Sequence, residues 1–243
     1  MNREQQLAEA FVDLTDTLAR DVDPITLLRR LAGHSLVLTG MDAAGVLLAN
    51  ARGSLRPAAV SADDTALTEL FQAQVVQGPG TEAFSDERIV HSADLGEHEA
   101  TWPHFVRLAR DEGYVTAYAM PLRVRHQTVG SLSLLARTPA VLSPSQLSVL
   151  QALADVAATA VVTWSSDFLR PTDIVTRTQA ALSAKALLDT AAGMIAATAD
   201  VPPREAAARL RVYAARSRQR PTDVADQLVR RRLAPESIQV EGS

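Results

Sequence analysis

The 243-residue chain is 47% hydrophobic, only 4% aromatic and free of cysteine, so it can bury a core but has no disulfide, thiolate metal site, thioether-linked chromophore or cysteine nucleophile. Its formal charge of −4 is unevenly spread: residues 171–243 hold 11 basic and 8 acidic side chains, a net of +3, leaving −7 upstream. Nine arginines fall from Arg204 to Arg232, and a compact basic module on an acidic body points to a polyanion-binding output governed by a separate domain.

The opening residues Met1 to Gln6 lack the charged-then-apolar pattern of a secretory signal. No run matches the roughly 18–20 apolar residues that span a bilayer, so a cytoplasmic protein is expected. Residues 4–20 read as an amphipathic helix through Leu7, Phe11, Leu14 and Leu18. A second helix starts at Asp23-Pro24, with Leu27, Leu28 and Leu31 on its apolar side. Residues 45–50 and 55–60 form two strands around a turn at Ala51-Arg52-Gly53-Ser54. A helix over 63–77 follows, and Gln77-Gly78-Pro79-Gly80 breaks the chain. Ile89-Val90 reads as a short strand and 101–111 as a short helix.

A long hairpin comes next, 115–124 and 128–136 flanking Arg125-His126-Gln127. Helices interspersed with strands that close on an antiparallel hairpin indicate an α+β fold rather than a doubly wound sheet. No Gly-rich phosphate loop is present. Ser143-Pro144 opens a long helix. Leu147, Leu150, Ala154, Ala157, Val161, Trp164 and Phe168 run along it as an a/d seam. Such a seam either lies on its own sheet or also pairs with its copy as a coiled coil in a homodimer; the dimer is the reading preferred here. Pro171 ends it and sets the division into residues 1–170 and 171–243.

The C-terminal part reads as three helices, over 173–198, 202–218 and 222–233. Asp200 is the expected N-cap of the second, with Pro202 and Pro203 in its first turn, and Pro221 opens the third. At 100° per residue, Ala206, Leu210, Ala214 and Ser217 form one face of the middle helix. Arg204, Arg211 and Arg218 align on the opposite side, and Arg209 and Arg216 flank Tyr213. With Lys185 and Arg220 these are the candidate polyanion contacts. Tyr213 either stacks on an unpaired base or packs at the edge of the core. Arg230-Arg231-Arg232 equally suits a cationic helix C-terminus, which the helix dipole favours.

This C-terminal part resembles the ANTAR domain family. The likeness rests on Ala191-Ala192-Gly193-Met194-Ile195, on 204–214 (REAAARLRVYA) and on Asp223-Val224-Ala225, in order over about 55 residues. Upstream, the Gln77 to Gly80 turn with Glu82-Ala83, Tyr118 to Leu122 and Val129 to Leu132 resemble a GAF sensor domain. The resemblance implies a GAF-like antiparallel sheet with flanking helices, followed by an all-α three-helix ANTAR-like module. By resemblance, such modules bind RNA with two adjacent hexaloop hairpins, prevent transcription termination, and act as dimers under a sensor's control. Two departures stand out. Ala192 replaces the family's basic triplet residue, and Gly80 stands where related GAF modules often carry Cys.

Trp102, Phe105 and Tyr118 either line a sensor pocket for an unidentified signal or pack the core. His98 and His104 read as loop residues, and neither a metal nor another cofactor is expected. Methionine sulfoxide reduction needs absent cysteines, and no nucleophile–base or paired-carboxylate arrangement supports hydrolysis. The expectation is therefore a non-enzymatic RNA regulator. A GAF regulator binding double-stranded DNA through a helix-turn-helix is the alternative, weakened by a glycine-free turn at 217–221.

Overall fold

The computed structural model describes residues 3–15, 23–62, 64–164 and 174–238. Helix α1 (Arg3–Thr15) buries Ala10 and Leu14 and half-buries Leu7 and Phe11. Leu18 and the rest of the expected helix lie outside the described residues. Helix α2 (Pro24–Thr39) begins where the Asp23 carboxylate accepts the N–H groups of Ile25 and Thr26, each at 3.0 Å. It ends at Gly40, whose φ of 73° suits the left-handed cap.

Strands β1 (Ala43–Ala49) and β2 (Leu55–Val60) form the first hairpin, with Asn50 Oδ1 accepting from the N–H groups of Arg52 and Ser54 across its turn. Helix α3 (Thr65–Ala73) is shorter than expected. Helix α4 (Pro79–Asp86) starts inside the segment read as a break. Its N-terminus is held from outside the helix: Gln74 Oε1 accepts from the Gly80 N–H at 3.1 Å and from Ser133 Oγ at 3.0 Å. A Cβ on Gly80 would lie 2.8 Å from that same Oε1, so a side chain there would have to displace the Gln74 amide. Strand β3 (Val90–Ser92), helix α5 (Pro103–Asp111) and the long hairpin of β4 (Thr116–Val124) and β5 (Gln127–Ala136) complete the sheet. The connection is shorter than expected, because Gln127 already pairs with Val124 while Arg125 takes φ 56°.

All pairings are antiparallel, in the order β2-β1-β5-β4-β3. The period-2 alternation of strands divides their side chains between two cores. Val46, Leu48, Tyr118, Met120, Leu122, Leu132 and Leu134 face α1, α2 and helix α6 (Pro144–Trp164). Ala43, Ala117, Ala119 and Leu135 face Phe71, Trp102 and Phe105 from α3 and the α5 region. The middle of the a/d seam of α6 packs within the chain: Leu150, Ala154, Ala157 and Val161 are fully buried in the first core, and Leu147 is half-buried at its edge. Those four positions offer no surface to a second copy. The side chains of Trp164 and Phe168, and the boundary at Pro171, lie outside the described residues.

Helices α7 (Ile174–Ala199), α8 (Pro203–Arg216) and α9 (Pro221–Val229) form the C-terminal module. Helix α7 belongs to both parts of the molecule. Near its start, Ala181 joins the first core, Leu182 packs on it, and Gln179 Oε1 accepts from the Ala51 N–H. Farther on, Ala191, Ala192 and Ile195 join a separate core with α8 and α9. Contrary to the composition reading, Pro144–Thr163 and Thr178–Ala199 are long and apolar enough to cross a membrane, with mean hydropathies of 1.4 and 1.3. The first of these is the covering helix of the sheet.

Gly130 tests how closely the strands meet. A Cβ there would fall 2.1 Å from the Leu47 carbonyl oxygen, whereas one on Gly33, inside α2, would meet nothing within 4 Å. Gly130→Ala is expected to destabilise by about 1–3 kcal/mol through overpacking. Gly33→Ala is expected to stabilise by about 0.5–1 kcal/mol through helix propensity. Urea unfolding of both variants checks this pair, and equal midpoints would refute the close approach.

Candidate nucleic-acid interface

The three C-terminal helices hold together through a small core of Ala191, Ile195, Ala206, Leu210, Ala214, Val224, Ala225 and Leu228. Their ends share one device. Val201 N–H donates to Ala196, Gln219 to Ala214 and Arg232 to Gln227, each five residues back. The residue before each donor is left-handed: Asp200 at φ 52°, Arg218 at 55° and Arg231 at 56°. These are Schellman closures, which glycine would make with less strain. Asp200 therefore ends α7 rather than capping α8, whose N-cap is Pro202 without a side-chain bond. The turn expected to need glycine is closed by Arg218.

Because α8 stops at Arg216, Arg218 leaves the stripe expected for it. Arg204 and Arg211 remain on one shoulder of α8, and Arg209 and Arg216 lie on the other, with the buried face between them. Arg209 pairs with Glu205 at 2.5 Å, and Lys185 on α7 pairs with Asp189 at 2.6 Å. Arg216 and Arg218 are exposed, while Arg211 and Arg220 are half-buried. Tyr213 is half-buried, with its ring against the module's core.

Lys185, Arg204 and Arg211 border a cleft of about 970 Å³ that the sequence did not reveal. Its other wall comes from the sheet domain, through Ile25, Arg29, Ala58, Val60 and Glu69. Arg209, Tyr213, Arg216, Arg218 and Arg220 lie outside that lining. The structure thus separates the eight candidates into an inner set facing the sheet domain and an outer set. On α9 the buried residues are Thr222, Val224, Ala225 and Leu228, and the outer side carries exposed Asp223 and half-exposed Asp226, the latter bonded to Arg230 at 2.7 Å.

The three candidate pocket residues are not brought together. Trp102 and Phe105 pack in the second core, edge to face with centroids 6.3 Å apart. Tyr118 sits on the opposite sheet face, where its hydroxyl accepts from the Leu142 N–H at 3.1 Å. In the second core the Phe71 ring fills the space beside Gly45, reaching within 2.5 Å of where a Cβ would be. His91 stacks on Tyr118 at 4.1 Å, and loss of water there lowers its pKa below the usual histidine value. A hydrogen bond to Tyr114 raises the pKa of Arg137. His98 stacks on Trp102, and His104 lies on α5 beside Arg107 rather than in a loop. No cluster of three potential metal ligands occurs among the described residues.

The GAF domain family model matches residues 23–161, and the ANTAR domain model matches 176–229. The chain belongs to the GAF family and carries an ANTAR domain behind the sensor. Solved structures agree on the sensor's fold. The GAF domain of an Acinetobacter phosphoenolpyruvate-protein phosphotransferase superposes with a TM-score of 0.53 at 17% identity, covering 66% of this chain and 93% of its own. Another GAF domain structure gives 0.51 at 12% identity, covering 66% and 89%. No curated protein matches the chain. GAF domains are sensory, and ANTAR domains are RNA-binding antiterminator modules.

Relief of the left-handed strain at the end of α7 is measurable. Asp200→Gly is expected to stabilise the ANTAR domain by about 0.5–1 kcal/mol. Amide hydrogen exchange along α8 and α9, compared between the two proteins, checks it. A loss of stability would argue against the closure.

Proposed function

We propose that this protein is a cytoplasmic, non-enzymatic regulator that prevents transcription termination by binding tandem hairpin loops in nascent RNA, under control of a signal received by its GAF domain. The division at 1–170 and 171–243 assigns sensing to the first part and RNA to the second. The supporting observation is the placement of arginines on both shoulders of α8 within the ANTAR match. A helix presenting cations on both sides of its buried face suits the phosphates that flank a splayed loop. Arg218 adds to this, because an arginine occupies a left-handed position where glycine would be less strained. The proposed RNA contacts are Lys185, Arg204, Arg209, Arg211, Tyr213, Arg216, Arg218 and Arg220.

Two adjacent hairpins call for two copies of one module, so the acting unit is proposed to be a homodimer. Its contact lies off the buried Leu150–Val161 stripe. Double-stranded DNA is the less favoured polyanion, because the outer side of α9, the second helix of the helix-turn-helix reading, carries Asp223 and Asp226. Those carboxylates would face DNA phosphates.

A salt titration against RNA with two hexaloops, a loop-scrambled RNA and duplex DNA tests the reading. Intact loops are expected to bind preferentially, with affinity falling steeply as salt rises. Arg209→Gln and Arg216→Gln are each expected to weaken binding several-fold and reduce the salt slope by about 1. Equal binding to all three nucleic acids would reduce the arginines to a nonspecific patch.

A further inference from the structure

Arg29 is a GAF-domain cation placed toward the ANTAR domain. It lies on α2, yet it borders the same cleft as Lys185, Arg204 and Arg211 of the ANTAR domain. The two walls are held across from each other by α7, whose early turns sit in the first core and whose later turns sit in the third. The cleft needs no domain closure to bring cations from both domains around one space.

Its chemistry is mixed in a way that suits single-stranded nucleotides. Half-buried Pro57, Val60, Leu188 and Ala207 and exposed Pro202 and Pro203 supply apolar surface, and the cations stand around it. Ala192 carries no long side chain into this space. Three of the four lining carboxylates are already engaged. Asp23 accepts from the Ile25 and Thr26 N–H groups, Asp64 from the Ala66 N–H, and Asp189 from Lys185. Glu69 is the fourth. At about 970 Å³ the space lies within the usual range for binding pockets, which favour domain interfaces.

Resting on the RNA-binding reading above, we infer that the cleft receives splayed loop nucleotides and that Arg29, a GAF-domain residue, contacts their phosphates opposite the α8 arginines. Unstacked loop bases find apolar surface in the cleft, while their phosphates meet cations from both walls. The sensor then takes part in recognition directly. A signal that shifts α2 relative to α7 changes RNA affinity without altering the ANTAR domain.

The test uses the full chain and the two-hexaloop RNA. Arg29→Gln is expected to bind roughly fivefold more weakly at low salt and to lower the salt slope by about 1, while Arg29→Lys retains the slope. Far-UV circular dichroism and the melting temperature confirm that both variants are folded. Loop-placed 4-thiouridine is expected to crosslink to residues 25–29 or 57–60. Unchanged or tighter binding by Arg29→Gln, or crosslinks confined to the ANTAR domain, overturns the inference; tighter binding would mark the cleft as an inhibitory arrangement. Arg216→Gln and the scrambled RNA separate the two levels. If neither alters binding, the RNA reading itself fails; if both do and Arg29→Gln does not, only the role of Arg29 fails.

Discussion

Helix α7 has to satisfy two cores with one surface. Its early turns carry Thr178 and Ala181 into the sheet domain, and its later turns carry Ala191, Ala192 and Ile195 into the ANTAR core. A continuous helix advances about 1.5 Å per residue, so the spacing between these two sets fixes how far the domains stand apart. The cleft, the facing of Lys185, Arg204 and Arg211, and the outward placement of Arg216 all follow from that spacing. Small side chains make the arrangement possible, because alanines let α7 lie close to both neighbours.

The sheet domain shows how a sensor fold can be tightly packed and still contain unusual polarity. Among the described residues, Gln74 Nε2, Ser92 Oγ and Ser131 Oγ are buried without a protein partner. All three belong to strands of the central sheet or to the end of α3 that packs against it. Gln74 is committed on its oxygen side to Gly80 and Ser133, so it ties α4 to β5. Such a group is costly unless a partner is supplied.

Much of the fold was legible because local signals agreed with one another. Asp23-Pro24 and Ser143-Pro144 announced their helices, and the alternating 115–136 segment announced its hairpin. The apolar positions of α8 gave its buried face correctly at Ala206, Leu210 and Ala214. Helix α4 is not legible locally, because its N-terminal partner is Gln74, outside the helix and invisible to a local motif. Periodicity alone carries the α8 stripe on to Arg218, because it does not show where a helix stops. The two uses of α7 were hidden as well, since an Ala-rich helix displays no clear apolar side. Residue type alone groups Tyr118 with Trp102 and Phe105, whereas strand parity sends it to the other face.

A helix shared between two cores also ties their unfolding together. If the ANTAR core opens, the last turns of α7 lose the packing that stabilises them, and fraying can run toward Ala181 and Leu182. Loss of the sheet domain removes the support from the other end. The two domains therefore do not form independent cooperative units, and the free energy of opening either one includes part of the other's. Ligand binding that protects one domain passes some of that protection through α7 to its neighbour.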